Sequence, residues 1–162
     1  MKYYVAYGSN MSVEQMSLRC PDAKLVGKTT LQDWKLKFKI HATIEPHKGS
    51  QVPALVWKVS KEDERSLDMY EGWPDYYIKK NVGITMTRLD GTEPRMVTAM
   101  VYVMAEGHQV DIPSTLYYGT MVKDYERFGF DKRILQEALN EAVNEAAIRN
   151  AAKARKRAKR GE

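Results

Sequence analysis

The sequence predicts an α+β protein: a mixed, strongly curved sheet or small β-barrel surrounded by helices, with a basic helix at the C-terminus. Two observations predict it. Apolar segments of strand character recur through residues 2–104 without the regular strand–helix alternation of a doubly wound sheet. No repeat is visible, and the chain closes on a long run rich in Ala, Glu, Leu and Arg.

Each element has its own signal. Residues 2–7, KYYVAY, form a short apolar strand that stops at the turn-forming Gly8-Ser9-Asn10. Ser12 is an N-cap with Gln15 in the capping-box position, and the helix it opens ends before Cys20-Pro21. Trp34, Leu36, Phe38 and Ile40 alternate with Lys35, Lys37 and Lys39, a strand with one buried face. Residues 52–59, VPALVWKV, are a second apolar strand, its start placed at an edge or bulge by Pro53. Both Trp34 and Trp57 read as core.

Ser60, with Asp63 completing a box, caps a helix that stops at Gly72, with Pro74 just beyond. Residues 76–88 and 95–104 are two strands joined by a turn, Leu89–Pro94, that contains an Asp-Gly pair. Ser114 caps a helix to about Phe128, closed by Gly129, and Asp131 caps the last helix.

At 162 residues the chain is the size of one domain, long enough to bury a core without disulfide or metal staples. Its formal charge is +5 and its pI is near 9.2. Residues 153–162 carry six of the 26 Lys and Arg and one of the 21 Asp and Glu, so residues 1–152 carry 20 of each and are neutral. The excess sits on Lys153, Arg155, Lys156, Arg157, Lys159 and Arg160, which suit a helix C-terminus. Nucleic acid is an expected partner only through this 153–160 tail.

A single cysteine, Cys20, excludes a disulfide framework and a CxxC metal knuckle, and His41, His47 and His108 lack metal-ligand spacing. No metal is expected. No run approaches the length of a membrane span and no leader pattern opens the chain, so no membrane partner is expected and the protein reads as cytoplasmic.

Three places can carry chemistry. A strand ending in Gly8-Ser9-Asn10 before a helix exposes consecutive backbone N–H groups, a concavity suited to a carboxylate; it is equally the pattern of a plain strand–helix connection. Glu71 stands at a helix C-terminus, where carbonyl dipoles raise a carboxyl pKa, with Met69, Tyr70 and Trp73 beside it to desolvate it. A solvated glutamate at a helix end has the same pattern. Tyr117 and Tyr118 fall on the first turn after Ser114, where phenols either reach a cleft or pack.

Together these pieces resemble the γ-glutamylcyclotransferase family, including its AIG2-like members. The resemblance rests on Tyr4-Val5-Ala6-Tyr7-Gly8-Ser9-Asn10-Met11, on Leu67-Asp68-Met69-Tyr70-Glu71-Gly72-Trp73-Pro74-Asp75-Tyr76-Tyr77, and on Pro113-Ser114 through Tyr117 with Gly129 after it. It implies that Tyr7, Gly8, Ser9 and Asn10 hold a γ-glutamyl group, that Glu71 is the acid/base, and that Tyr77 and Tyr117 line the pocket. It implies a γ-glutamyl amino acid or amine as the small-molecule substrate and no cofactor. The glutathione-specific branch has Leu after Tyr-Gly-Ser where this chain has Asn10, which argues against glutathione. The expected organisation is a γ-glutamylcyclotransferase-like domain over 1–130 and a helix over 131–162 that packs on it and ends in the basic tail. A monomer or weak dimer is expected. Two other functions fit the pattern: a non-catalytic small-molecule-binding or interaction protein of the same fold, and a nucleic-acid-associated protein using the tail.

Overall fold

The computed structural model describes residues 1–161; Glu162, the last residue of the expected tail, lies outside the described residues. Five strands close into a barrel in the order β1-β3-β2-β4-β5: β1 Lys2–Ala6, β2 Lys24–Lys39, β3 His41–Val59, β4 Tyr77–Arg88 and β5 Arg95–Met104. Four helices surround it: α1 Val13–Arg19, α2 Lys61–Glu71, α3 Thr115–Phe128 and α4 Lys132–Lys159. The sheet is mixed because β1 runs antiparallel to β3 but parallel to β5, pairing Tyr3 with Ala99 and Tyr4 with Met100. The barrel closes where Gly27 and Lys28 of β2 meet Arg88 and Thr87 of β4. A Cβ on Gly27 would lie 2.4 Å from Met86 Cγ and 2.7 Å from the Thr87 carbonyl, so this approach requires glycine.

Two expected strands are longer than their apolar patterns. Residues 34–39 are the end of the 16-residue β2, and 52–59 the end of the 19-residue β3. Each polar half is strand because it pairs with the apolar half of the other strand, residues 24–32 with 51–58 and residues 41–46 with 34–39. Residues 47–50 leave the ladder between the pairs Gln32–Gln51 and Trp34–Pro46, and Asp33 accepts the Gly49 N–H at 3.0 Å across the gap. Ile40 does not belong to the buried face. It turns the hairpin corner with φ of 70° and is half exposed, because the chain reverses there. Leu36 and Phe38 are buried as their alternation requires, and so is Trp57, whereas Trp34 is only half-buried. Pro53 falls inside β3, beyond the last β1 pair at Ala6–Leu55, where its missing N–H disrupts no second ladder.

The caps follow the sequence closely. Ser60 and Asp63 make both halves of a capping box, and Gly72 and Gly129 end α2 and α3 in the left-handed conformation. At α1 only half a box forms: Ser12 accepts the Gln15 N–H at 3.2 Å, while Gln15 Oε1 is buried with no partner among the described residues.

The α4 helix lies on β2 through Leu135, Ala138, Ala142 and Ala146, with Lys35 and Lys37 both paired to Glu141. Arg149 donates to the Val110 carbonyl at 2.6 Å, and residues 150–161 are exposed along their whole length.

Candidate active site

The geometry of α2 sets the site. Strand β3 ends at Val59, opposite Lys2 at the start of β1. The 11 residues of α2 then run about 16 Å. That matches the roughly 16 Å covered by the five residues of β1. The end of α2 therefore comes level with the end of β1, and Glu71 meets the loop Tyr7–Asn10. Ion pairs hold the helix along this path: Lys2 to Glu64 at 2.9 Å, and Lys79 to both Glu64 and Asp68 at 3.0 Å.

Asn10 joins the two segments. It is 3 % exposed, and its Nδ2 donates to Tyr4 Oη at 2.9 Å and to Glu71 Oε1 at 3.3 Å. Its Oδ1 accepts from Arg19 at 2.5 Å, and its carbonyl accepts from Trp57 Nε1 at 3.0 Å. In the loop, Met11 and Ser12 donate to the Gly8 and Ser9 carbonyls, a short 3-10 turn. The Gly8 and Ser9 N–H groups enter no such turn or cap bond among the described residues.

The other wall comes from the hairpin corner. Ala42, two residues past it, donates its N–H to Tyr117 Oη at 3.0 Å, and its carbonyl accepts from Tyr77 Oη at 2.6 Å. Tyr117 thus keeps its own hydroxyl proton. Tyr7 Oη donates to the Tyr102 carbonyl at 2.6 Å, and Tyr102 Oη donates to Asp68 at 2.6 Å.

These residues enclose a recess of about 30 Å³ lined by Tyr4, Tyr7, Gly8, Ser9, Asn10, Ala42, Glu71, Tyr77, Tyr102 and Tyr117, with Val5 at its base. It adjoins an outer chamber of about 160 Å³ whose walls include Ser9, Glu71, Tyr77 and Tyr117 again, so Glu71 stands at the junction of one two-part site. A larger cavity, about 660 Å³, lies elsewhere, between β2 and β4 and beside Phe128 and Phe130. It contains no carboxyl or imidazole, and Lys28, its cation, is bound to the Phe128 carbonyl at 2.8 Å.

Burial raises Glu71 from 4.5 to about 7, against the opposing pull of Arg19. The direction is the one expected from sequence, but the burying groups differ. Met69 is 85 % exposed, and Trp73 turns outward beneath Lys79, whose ammonium is 4.1 Å from its ring centroid. The desolvation comes from the tyrosines of the barrel mouth. Burial likewise pushes Tyr4, Tyr7, Tyr77 and Tyr117 far above the ordinary phenol range, so all four are neutral.

The fold brings all seven expected residues, Tyr7, Gly8, Ser9, Asn10, Glu71, Tyr77 and Tyr117, to one pocket. Sequence reasoning missed Tyr4, Ala42 and Tyr102, which pattern as ordinary strand residues, and His41 and Tyr76 in the outer chamber; Tyr70, expected only as a neighbour that buries Glu71, lines that chamber too. Only Tyr76, next to Tyr77, and Tyr70, next to Glu71, carried a local signal. No group of three or more His, Cys, Asp or Glu that could hold a metal ion occurs among the described residues. No described helix is long and apolar enough to cross a membrane. Cys20 is buried, which pushes its thiol up to about 12.

The small closed barrel thus carries a backbone loop, a desolvated glutamate and a ring of neutral phenols around one pocket. Residues 4–127 match the family model for γ-glutamyl cyclotransferase, AIG2-like, and the chain belongs to that family. It is similar to the γ-glutamylcyclotransferase of Bos taurus, 34 % identical over 127 residues that cover 70 % of this chain and 64 % of that one. The Mus musculus γ-glutamylcyclotransferase is 32 % identical over 114 residues, covering 62 % and 58 %. The chain thus spans just under two thirds of the length of these relatives. A solved γ-glutamyl cyclotransferase structure superposes with a TM-score of 0.68 at 27 % identity, over 85 % of both chains. A crystal structure of an uncharacterized protein from Homo sapiens gives 0.67 at 27 % identity, with the same coverage.

Proposed function

We propose that this chain is a γ-glutamylcyclotransferase that converts a γ-glutamyl amine or amino acid to 5-oxoproline, with Glu71 as general acid/base. The observation that carries the reading is the position of Glu71: a carboxyl raised to about 7 at the junction of recess and chamber, facing the Gly8–Asn10 loop. Membership of the family and the name of the bovine and mouse relatives support it.

The nucleophile is the substrate's own α-amine. Glu71 takes a proton from the α-ammonium, and the freed amine attacks the γ-carbonyl carbon. The ring C–N bond forms, the original amide C–N bond breaks, Glu71 returns its proton to the departing nitrogen, and the ring nitrogen's second proton passes to the released amine, which leaves as an ammonium. One γ-glutamyl amide becomes one 5-oxoproline and one amine, without water. A carboxyl near neutrality suits both transfers. The Gly8 and Ser9 amides would receive the α-carboxylate, and Tyr117, its hydroxyl proton free, would donate to the substrate. The recess holds only about two waters, so a γ-glutamyl group extends from it past Glu71. Confinement in this bent path favours the ring-closing conformer, where orientation contributes several kcal/mol.

The test is incubation with a panel of γ-glutamyl amino acids and amines and detection of 5-oxoproline, with Glu71→Gln as the control. Release by wild type and not by the variant supports the assignment. Equal release by both removes Glu71 from the mechanism, and none from any compound rejects the activity.

A further inference from the structure

Helix α4 outruns the barrel. Its buried side chains are Leu135, Ala138, Ala142 and Ala146. Arg149, which donates to the Val110 carbonyl at 2.6 Å and pairs with Asp111 at 3.4 Å, is its last residue that is not exposed. From Asn150 to Lys159 the helix runs on for about 15 Å with every residue in water.

The charge on this arm is of one sign. It carries Lys153, Arg155, Lys156, Arg157 and Lys159, with Arg160 at its C-cap, and the sequence has no Asp or Glu between Glu145 and Glu162. Lys132, Arg133 and Arg149 of the same helix each have a carboxylate partner, whereas the six cations of the arm have none among the described residues. Like charges four residues apart, as in Arg155–Lys159 and Lys156–Arg160, repel one another along the arm.

Their arrangement is ordered. Ala146, Arg149, Lys153, Lys156 and Arg160 follow one another at alternating steps of three and four, so the face that packs on β2 continues past the barrel as a cationic stripe. At about 3.6 residues per turn Arg157 flanks this stripe on one side and Arg155 and Lys159 on the other. Ala147, Ala151, Ala154 and Ala158 form the back. Residues 149–161 contain no apolar side chain larger than alanine, so the arm has nothing to anchor it in a bilayer. The major groove of duplex DNA, about 12 Å wide, admits one α-helix and presents base acceptors on its floor and phosphates on both rims. The stripe suits such a floor, and the flanking cations suit the two rims. The deep, narrow major groove of duplex RNA excludes a helix.

We infer that residues 150–160 are a DNA-binding arm, which lies as a helix in the major groove of a duplex and holds it through its six cations.

Fluorescence anisotropy of the full chain with a short labelled DNA duplex of mixed sequence tests it, beside an RNA duplex of the same sequence and co-sedimentation with phosphatidylserine vesicles. The DNA is expected to bind at least fivefold more tightly than the RNA or the vesicles. Its log K should fall against log salt with a slope of about −4 to −5, as for some five neutralised phosphates. Truncation after Ala152, which removes all six cations, is expected to abolish binding. Ala154→Pro keeps every charge but breaks the helix, and is expected to weaken binding at least fivefold. Unchanged affinity in Ala154→Pro overturns the helical seating in the groove. No binding by wild type, binding that survives truncation, or equal affinity for the RNA or the vesicles overturns the inference.

Discussion

Asn10 Nδ2 lies 3.3 Å from Glu71 Oε1 across 61 residues of sequence, and the same nitrogen reaches Tyr4 Oη at 2.9 Å. One buried amide therefore sets the position of the carboxyl against the loop. Its other end is fixed by Arg19, which also stacks on Tyr70, the residue before Glu71. Loop, α1 and the end of α2 form one hydrogen-bonded unit.

Loss of the Glu71 charge should separate activity from stability. Glu71→Gln is expected to lower kcat by roughly 10²–10⁴, the usual share of a general acid/base. Because the folded carboxyl titrates at about 7 rather than 4.5, the folded state binds its proton more tightly than the unfolded state. That stabilisation is complete below pH 4.5 and is lost as pH rises to about 7. The loss amounts to at most roughly 3 kcal/mol. Thermal denaturation should give the variant the higher Tm at pH 8 and an equal Tm at pH 4.5. A constant Tm difference across that range would place the carboxyl in water.

Asn10→Ala removes the donor to Glu71 and Tyr4 and the acceptor for Arg19 together. Leaving buried partners unsatisfied costs about 1–3 kcal/mol. Urea denaturation should show a lowered midpoint with an unchanged slope. The turnover number should fall more than KM rises, since the carboxyl loses its positioning. A KM effect alone would mean that Asn10 contacts substrate only.

Gly8 tests the recess. A Cβ there would lie 3.4 Å from Tyr117 Oη and 3.5 Å from Ala42 Cβ, an ordinary contact. Gly8→Ala is therefore expected to be mild. Gly8→Val adds two methyl groups to a space of about 30 Å³ and should raise KM at least tenfold while the fold persists by circular dichroism. Unaltered steady-state constants in the valine variant would make the loop a connection only.

Truncation after Ala152 removes six Lys and Arg from a stretch in which every described residue is exposed. Stability should change by less than about 0.5 kcal/mol, the range for surface changes away from packed features. Any retention on a polyanion column should vanish with the tail, since the remaining 20 basic and 20 acidic residues balance. Salt-sensitive retention surviving truncation would place the basic surface on the barrel.

Local signals in the sequence determined much of this protein. Ser60 with Asp63, Ser114 and the glycines at 72 and 129 fixed helix starts and ends, because caps act within a few residues. Alternation placed Leu36 and Phe38 in the core, and motif resemblance marked Glu71 and Tyr7–Asn10. Only the tertiary structure decided the remainder. Residues 24–32 and 41–46 are strand because each stretch pairs with the apolar segment of the other strand, and no local pattern states a pairing. Tyr4, Ala42 and Tyr102 enter the site because the barrel closes β1 against β5 and brings the hairpin corner over its mouth. The pKa of Glu71 rises for the same reason. Its sequence neighbours Met69 and Trp73 face water, and the phenols that line the pocket around it come from three strands, the loop after β1 and a helix that meet only when the sheet has curled shut.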